Sequence, residues 1–183
     1  MVVEVDVKHI YKHPLDQVMR AHLNKYPNEK EKHVTGIRTI CHTRDIKNNT
    51  LYWRRIATCV NVIPIFLRKA NFLKVQEILL EEECWLKQQR SVFSVKSRNV
   101  TWSEYAHLEE SSSFKKHVTN PSWTVFEQTG SINIHSLGSF AWMLEIFAKQ
   151  FLNQGIKRSI KIMEDILEEK PNQDSHETTA QIS

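Results

Sequence analysis

The spacing of apolar residues along the chain changes once, and this change constrains the fold more than any other feature. Val3, Val5 and Val7 alternate with charged residues, which at a period of two predicts a strand with one apolar face. From about Leu137, apolar residues recur in steps of three and four, which predicts one long amphipathic helix: Leu137, Ala141, Leu144, Ala148, Phe151, Gly155, Ile162 and Ile166.

Further β-like segments lie between these two patterns. Residues 33–45 and 50–60 flank the turn sequence DIKNN and are typical of a hairpin. Four more β-like segments follow, at about 72–86, 91–102, 105–118 and 124–135. Strands that precede a single long helix predict an α+β fold with an antiparallel sheet, not alternating βαβ units.

A short helix is predicted after the first strand. Pro14 suits the first turn of a helix, and four residues then form a helical stripe that ends before Pro27: Leu15, Val18, Ala21 and His22. The segment that follows the stripe is crowded with Lys25, Lys30, Lys32 and His33.

Size and composition indicate an ordinary globular chain. With 183 residues, 40% hydrophobic and 25% charged, one domain is expected over residues 1–170, with a disordered polar tail at 171–183. No apolar run approaches the roughly 18 residues needed to span a bilayer. The formal charge of +4 is a mild excess, so an anionic membrane or ligand remains open, whereas nucleic acid is not expected.

The N-terminal segment and the cysteines give expectations about targeting signals and disulfides. The N-terminal alternation contains acidic residues and resembles neither a secretory signal nor an Arg-rich transit peptide. Cys41, Cys59 and Cys84 form no CxxC pair, so free thiols are expected rather than a disulfide framework.

No catalytic or metal-binding pattern is evident. The chain contains no G-x-S-x-G motif, and we predict neither an enzyme nor a cofactor or metal. The acidic run at residues 81–83 does not form a site on a strand, because neighbouring side chains point to opposite faces. We expect a solvated sheet face with one inward-facing member.

A Pro-containing apolar segment interrupts the strands. Its six residues, which we call the lid loop, are Val62, Ile63, Pro64, Ile65, Phe66 and Leu67. The pattern fits an ordinary buried loop and a movable lid equally well. A curved sheet under a long helix is also open to two interpretations: the space between them can enclose an apolar ligand, or side chains can fill it. Hydrophobic periodicity does not distinguish a ligand cavity from a filled core.

Five segments resemble a known family, in the same order along the chain: NKYPNEKEKHV at 24–34, NVIPIFLRKA at 61–70, LEEECWL at 80–86, NPSWTVFEQTGSI at 120–132 and FLNQGIKRSIKIMED at 151–165. Together they resemble the PRELI/MSF1 family over residues 1–168. The resemblance implies a curved antiparallel sheet of about seven strands with a long C-terminal helix and shorter helices, enclosing one phospholipid. It also implies a non-enzymatic lipid-transfer protein of the mitochondrial intermembrane space.

The resemblance extends to ligands and partners. It implies transfer of an anionic phospholipid between mitochondrial membranes, with phosphatidic acid favoured and phosphatidylserine next. It further implies transient contact with anionic membranes and a small twin-CX9C helical partner. The alternative is a scaffold of the same fold that binds the partner but does not transfer lipid.

The resemblance also implies candidate head-group residues: Lys25, His33, Arg54, Arg55, Lys149 and Lys157. Lys25 precedes the Tyr-Pro-Asn turn and His33 follows it, while Lys157 lies towards the end of the long helix. A second family lysine falls near Thr58 or Cys59 here, so Arg54 or Arg55 is the candidate substitute. Another basic position falls near Gln150, with Lys149 beside it. The lid loop corresponds to the family's movable loop.

Overall fold

The computed structural model describes residues 2–68, 71–135 and 141–169. The chain forms these elements in order: β1 (Val2–Tyr11), α1 (Leu15–Asn24), β2 (Val34–Asp45), β3 (Thr50–Val60), β4 (Glu77–Lys87), β5 (Val92–Asn99), β6 (Ala106–Lys116), β7 (Thr124–Ile134) and α2 (Ala141–Glu168). All seven strands belong to one antiparallel sheet, in the order β1-β7-β6-β5-β4-β3-β2. The predicted α+β fold, a curved seven-stranded sheet with a long C-terminal helix, is confirmed.

The two-residue period divides the sheet into an inner and an outer face. Val3 and Val5 of β1 are buried, as the alternation predicts. In the acidic run, Glu82 faces inward, whereas Glu81 and Glu83 line a groove on the outer face. The acidic run therefore has the predicted single inward member.

Two predicted strands were too long. The segment predicted from residue 72 begins as β4 only at Glu77, because Asn71–Lys74 forms a 3₁₀ turn. Leu73 is buried within that turn, and Phe72 stacks on the ring of Tyr105 at 3.9 Å. The segment predicted to end at 102 ends as β5 at Asn99. Short apolar runs do not distinguish a strand from a buried turn.

Both predicted helices are present. The buried stripe of α1 consists of Leu15, Val18, Ala21 and His22, as predicted. Leu144, Ala148 and Ile162 of the predicted long-helix stripe are buried on α2. The predicted helix start at Leu137 and the predicted tail at 171–183 lie outside the described residues.

The buried apolar residues form two clusters under the two halves of α2. One cluster joins the lid loop to the N-terminal half of α2: Val5, Ile63, Leu67, Leu73, Ile132, Ile134, Leu144, Ala148, Leu152 and Ile156. The other joins α1 to the sheet and to the C-terminal half of α2: Tyr11, Leu15, Val18, Ala21, Cys84, Phe93, Val95, Phe114, Phe126 and Met163. Members of both clusters line an internal cavity, so the core is not completely filled.

Candidate functional site

The internal cavity has a volume of about 330 Å³ and lies between the inner face of the sheet and α2. Most of its wall is apolar and comes from strands, the lid loop and α2, including Ile63, Leu73, Leu80, Leu108, Ile132, Ile134, Leu144, Phe147, Ala148, Leu152 and Ile156. A cavity of this size and lining is suited to an apolar small molecule.

A row of polar residues crosses the inner face of the sheet. Arg55 of β3 pairs in register with Glu82 of β4, Glu82 pairs with Ser97 of β5, and Ser97 pairs with Glu110 of β6. Directly opposed side chains on neighbouring strands lie about 5 Å apart at Cβ, so these four residues form one continuous polar row. The row gives the otherwise apolar cavity a polar end.

Arg55 and Glu82 form a buried ion pair within this row. The side chain of Arg55 is 4% exposed, and its Nε donates to Glu82 Oε1 at 2.8 Å. A second guanidinium nitrogen of Arg55 also contacts Glu82 Oε1, and the third donates to the carbonyl of Leu23 at 2.8 Å. Burial alone would raise the pKa of Glu82, but His22, Arg55 and Lys25 outweigh it and hold that pKa well below its usual range.

Lys25 brings a second positive charge to the polar end of the cavity. It lies at the C-terminal cap of α1, lines the cavity, and its Nζ donates to Ser159 Oγ of α2 at 3.1 Å. The Nζ also lies 4.9 Å from the ring centroid of Tyr26. Burial lowers the pKa of Lys25, while Glu82 and Glu110 oppose this shift. The amino group of Lys25 is therefore placed where it can contact an anionic ligand in the cavity.

His22 lies between α1 and the polar row. Its Nε2 is 3.6 Å from Glu82 Oε2, and its ring contacts Phe93 and Phe114 edge-on. Burial lowers the pKa of His22 to about 4, so the ring is neutral near pH 7. The side chains of His22, Glu82 and Cys84 place atoms that could bind a metal ion within 4.8 Å of one another. Glu82 is already paired with Arg55, however, and the positive charge of Arg55 opposes a metal cation there.

A second polar cluster joins the segment after α1 to α2. We call Glu31, His33 and Arg158 the polar-end cluster; all three line the cavity. Arg158 Nε donates to Glu31 Oε2 at 2.6 Å, and Arg158 also lies 3.1 Å from His33 Nδ1. Lys30 adds an exposed ion pair to Asp165 at 2.7 Å. These contacts tie the 25–33 segment to the C-terminal half of α2.

The lid loop is anchored inside and exposed at its tip. Leu67 is 2% exposed, and Val62 and Ile63 line the cavity. Ile65 and Phe66, by contrast, are 84% and 65% exposed. Exposed neighbouring apolar side chains of this size are unusual on a soluble surface and indicate a contact site for an apolar partner or a membrane.

Hydrogen bonds brace the base of the lid loop. The side chain of Asn61 donates to the carbonyls of Leu73 and Val75, both at 2.7 Å, and accepts from the amide of Ile63 at 3.0 Å. Arg68 donates to the carbonyls of Asn61 and Ile63. The tip therefore projects from a hydrogen-bonded base.

The structure brings together some of the predicted head-group residues and separates the others. Lys25 and His33 line the cavity, and Arg55 faces the same interior but is bound to Glu82. Arg54 points to the outer face, 3.5 Å from Glu81. Lys149 and Lys157 lie on the exposed surface of α2, outside the cavity wall.

The two residues near the second family lysine, Thr58 and Cys59, differ in their relation to the cavity. Cys59 lines the cavity, whereas Thr58 is not part of its wall. Burial raises the pKa of the Cys59 thiol to about 11. Within the part of the chain that the structure describes, the lysines and arginines lining the cavity are Lys25 and Arg158, and Arg158 is paired with Glu31.

Sequence reasoning missed several polar residues of the cavity. Glu110, Ser112 and Gln128 line it from β6 and β7, and Arg158 and Ser159 line it from α2. A signal for Glu110 was present, because it alternates with Leu108 and Phe114 on the apolar face of a predicted strand. No such signal was present for Arg158 and Ser159. Hydrophobic periodicity does not show how α2 is rotated relative to strands that lie far away in sequence.

Comparison with known proteins identifies the family. A model of the PRELI-like family matches residues 16–174, which is most of the chain. The chain belongs to the PRELI-like family. UPS-like protein C36.10 of Schizosaccharomyces pombe is 27% identical to this PRELI-like chain over 124 residues, covering 68% of this chain and 66% of that protein. The protein slowmo homolog of Dictyostelium discoideum is 24% identical over 161 residues, covering 88% and 69%. The chain thus spans about two thirds of the length of these relatives.

Solved structures show the same fold for this PRELI-like chain. A START superfamily protein from Mycobacterium smegmatis aligns with a TM-score of 0.55 at 8% identity, covering 90% of this chain and 97% of that one. The Zhui aromatase/cyclase from Streptomyces sp. R1128 aligns with a TM-score of 0.53 at 10% identity, covering 91% and 92%. The family and the START-like fold together support a lipid-binding role.

Among the described residues, no helix combines the length and the apolarity that crossing a membrane demands.

Proposed function

We propose that this PRELI-like protein carries phospholipid between membranes, holding one anionic phospholipid, phosphatidic acid or phosphatidylserine, in the internal cavity. The observation that carries this proposal is the position of Lys25, a cation at the polar end of an otherwise apolar cavity. Fold and family support a lipid ligand, and the position of the charge supports an anionic head group.

The apolar wall supplies the main driving force. Exposing a phospholipid to water costs about 0.8 kcal/mol for each methylene of its chains. Chains enclosed between the sheet and α2 avoid that cost, so the barrier to crossing an aqueous space falls.

The phosphate requires a different environment from the chains. A buried phosphate is costly unless cations or hydrogen-bond donors contact it. In the proposal, Lys25 exchanges its hydrogen bond with Ser159 for one to the phosphate, and the polar-end cluster lies beside the bound head group. Arg55 stays with Glu82 and stabilises the fold.

The lid loop provides the contact with the bilayer. Ile65 and Phe66 insert among the lipid chains, and nearby cations, including Arg68, favour an anionic surface. Displacement of the loop then opens the apolar end of the cavity, and the lipid moves without any covalent step. The protein is accordingly proposed to be a carrier and not an enzyme.

The cellular setting of this proposal is the mitochondrial intermembrane space, with a small twin-CX9C helical partner. Membership of the PRELI-like family is the support for both. Since a carrier cannot impose a direction, net transfer follows the lipid gradient.

A non-transferring scaffold is the second candidate. The family resemblance implies a lysine near Thr58 or Cys59, and neither of these residues supplies a positive charge to the head-group end. A scaffold of this fold would bind the helical partner and leave the cavity without phospholipid.

A liposome extraction assay separates the two functions. The wild-type protein is mixed with its partner and with liposomes of phosphatidic acid and phosphatidylserine in phosphatidylcholine, and bound lipid is identified by native mass spectrometry. One anionic phospholipid per complex supports the carrier. A complex that forms but extracts nothing supports the scaffold.

Lys25→Met tests the head-group contact, and Lys157→Met is its matched control. Both changes remove one lysine charge, but only Lys25 lines the cavity. Loss of a charge-assisted hydrogen bond should lower extraction of anionic lipid about tenfold for Lys25→Met, relative to Lys157→Met. Equal extraction by two variants with the same melting temperature would remove Lys25 from the proposed site.

A further inference from the structure

Glu110 presents a carboxyl group to the cavity from the middle of β6. Its inward-facing neighbours along the strand, Leu108 and Ser112, line the same cavity. Across the sheet, Glu110 pairs with Ser97 on one side and with Gly130 on the other. A Cβ atom at Gly130 would lie at an ordinary contact distance of 3.7 Å from Glu110 Cγ but at a tight 3.2 Å from Val5 Cγ2, so the glycine makes room for Val5 beside the stem of Glu110.

Glu110 differs in its partners from three other carboxylates that are shielded from solvent, each of which is paired with an arginine. Glu31 is paired with Arg158, Glu81 with Arg98, and Glu82 with Arg55. For Glu110, no hydrogen bond or ion pair reaches the carboxyl group from any of the residues described. Lys25 is close enough to act on it electrostatically but makes its hydrogen bond to Ser159.

Glu110 is half-buried, and an unpaired carboxyl group that is partly shielded from water is less stable in its charged form. Burial raises the pKa of Glu110, Lys25 opposes this shift and Glu82 adds to it, so the surroundings penalise the charged form of the carboxyl group. A cationic group beside Glu110 would instead favour the charged carboxylate, and the proton of the carboxyl group would be released to solvent. Such unpaired polar groups in native structures call for an explanation.

We propose that Glu110 is a specificity-determining residue, which accepts hydrogen bonds from the primary ammonium group of a phospholipid head group while Lys25 contacts its phosphate. This inference rests on the proposed function: it favours phosphatidylserine over phosphatidic acid and extends the candidate ligands to the zwitterionic phosphatidylethanolamine. Phosphatidic acid has no ammonium group and would leave Glu110 unpaired, so the same residue disfavours it.

A competition experiment tests the assignment. The protein with its partner is incubated with phosphatidylcholine liposomes that contain equal mole fractions of phosphatidic acid, phosphatidylserine and phosphatidylethanolamine. The bound lipids are then quantified by mass spectrometry. The readout is the ratio of bound amine lipid to bound phosphatidic acid, which a purely structural role of Glu110 would not change.

Three variants make the test specific. Glu110→Gln keeps the size and a hydrogen-bond donor but loses the charge, and should lower the ratio about tenfold. Glu110→Asp keeps the carboxylate and should retain the preference for amine lipid. Glu109→Gln is the matched control, since the adjacent Glu109 lines the outer groove but is not part of the cavity wall, and it should leave the ratio unchanged.

The possible failures are distinguishable. If the wild-type protein extracts no lipid, the proposed function fails and this inference with it. If lipid is extracted and Glu110→Gln has the wild-type ratio, the carrier stands and the role of Glu110 is overturned. The latter result is also expected if a neutral Glu110 merely donates a hydrogen bond, because glutamine can do the same.

Discussion

The two ends of the cavity are built from different interactions. At the lid end, Leu67, Leu144 and Ala148 hold the loop against α2 by apolar packing. At the polar end, directional bonds connect the elements: Arg55 to Glu82, Lys25 to Ser159, and Arg158 to Glu31. Apolar contacts tolerate sliding, whereas charge-assisted hydrogen bonds require particular distances and angles.

This difference indicates where the cavity opens. The 25–33 segment is tied to the C-terminal half of α2 by hydrogen bonds and an ion pair, including Lys30 to Asp165. The N-terminal half of α2 faces the lid loop through apolar side chains. We therefore expect the lid end to open for lipid while the polar end keeps its geometry and orients the head group.

The largest expected effect comes from breaking the buried ion pair at the polar end. Arg55→Ala leaves Glu82 buried without its main partner and should lower the free energy of unfolding by about 3–5 kcal/mol. Urea denaturation measures the change. Arg54→Ala is the matched control, because Arg54 is 46% exposed on the outer face and its partner Glu81 keeps a second ion pair with Arg98, so the loss should be about 0–1 kcal/mol. Equal losses for the two variants would contradict the assigned faces.

The second largest effect is a loss of folding stability in acid, caused by His22 at the polar end of the cavity. His22 has a pKa of about 4 in the folded protein, against the ordinary histidine value of 6.5 for an unfolded chain, so the unfolded state binds more protons between these pH values. Stability should therefore fall by about 3 kcal/mol as pH is lowered from 6.5 to 4.

His22→Gln isolates this contribution. The difference in unfolding free energy between wild type and His22→Gln should change across that pH window and stay constant above it. The exposed His107 provides a control, since His107→Gln should retain the wild-type dependence. A pH-independent difference for His22→Gln would show that His22 is not buried in its neutral form.

The smallest effect on stability is expected at the tip of the lid loop. Phe66 is mostly exposed, so Phe66→Ser should change the free energy of unfolding by no more than about 0.5 kcal/mol. Transfer between liposomes should nevertheless slow severalfold, because less apolar surface enters the bilayer.

Leu67→Ala is the contrasting change at the lid end. Leu67 is buried and should cost about 2–5 kcal/mol when truncated. If Phe66→Ser leaves the transfer rate unchanged in a stopped-flow lipid-transfer assay, the exposed tip is not the membrane contact.

The candidate site was only partly predictable from the sequence. Lys25 and His33 were identified through the family resemblance, and both line the cavity. Arg54 and Arg55 were equivalent in sequence, yet adjacent residues on a strand face opposite sides of the sheet. Lys157 was grouped with Lys25, although it lies on the exposed side of α2. Residue type and spacing do not show which charges reach the same space.

The sequence by itself determined the secondary structure and the fold class, because hydrophobic period is a local property. The alternation of Val3, Val5 and Val7 predicted a strand, and the three-and-four stripe predicted α2. Only the tertiary structure decided that Arg55 meets Glu82 while Glu110 meets no partner among the described residues. Such pairings depend on the strand order and on the position of α2 against the sheet, because these bring together charges that are far apart along the chain.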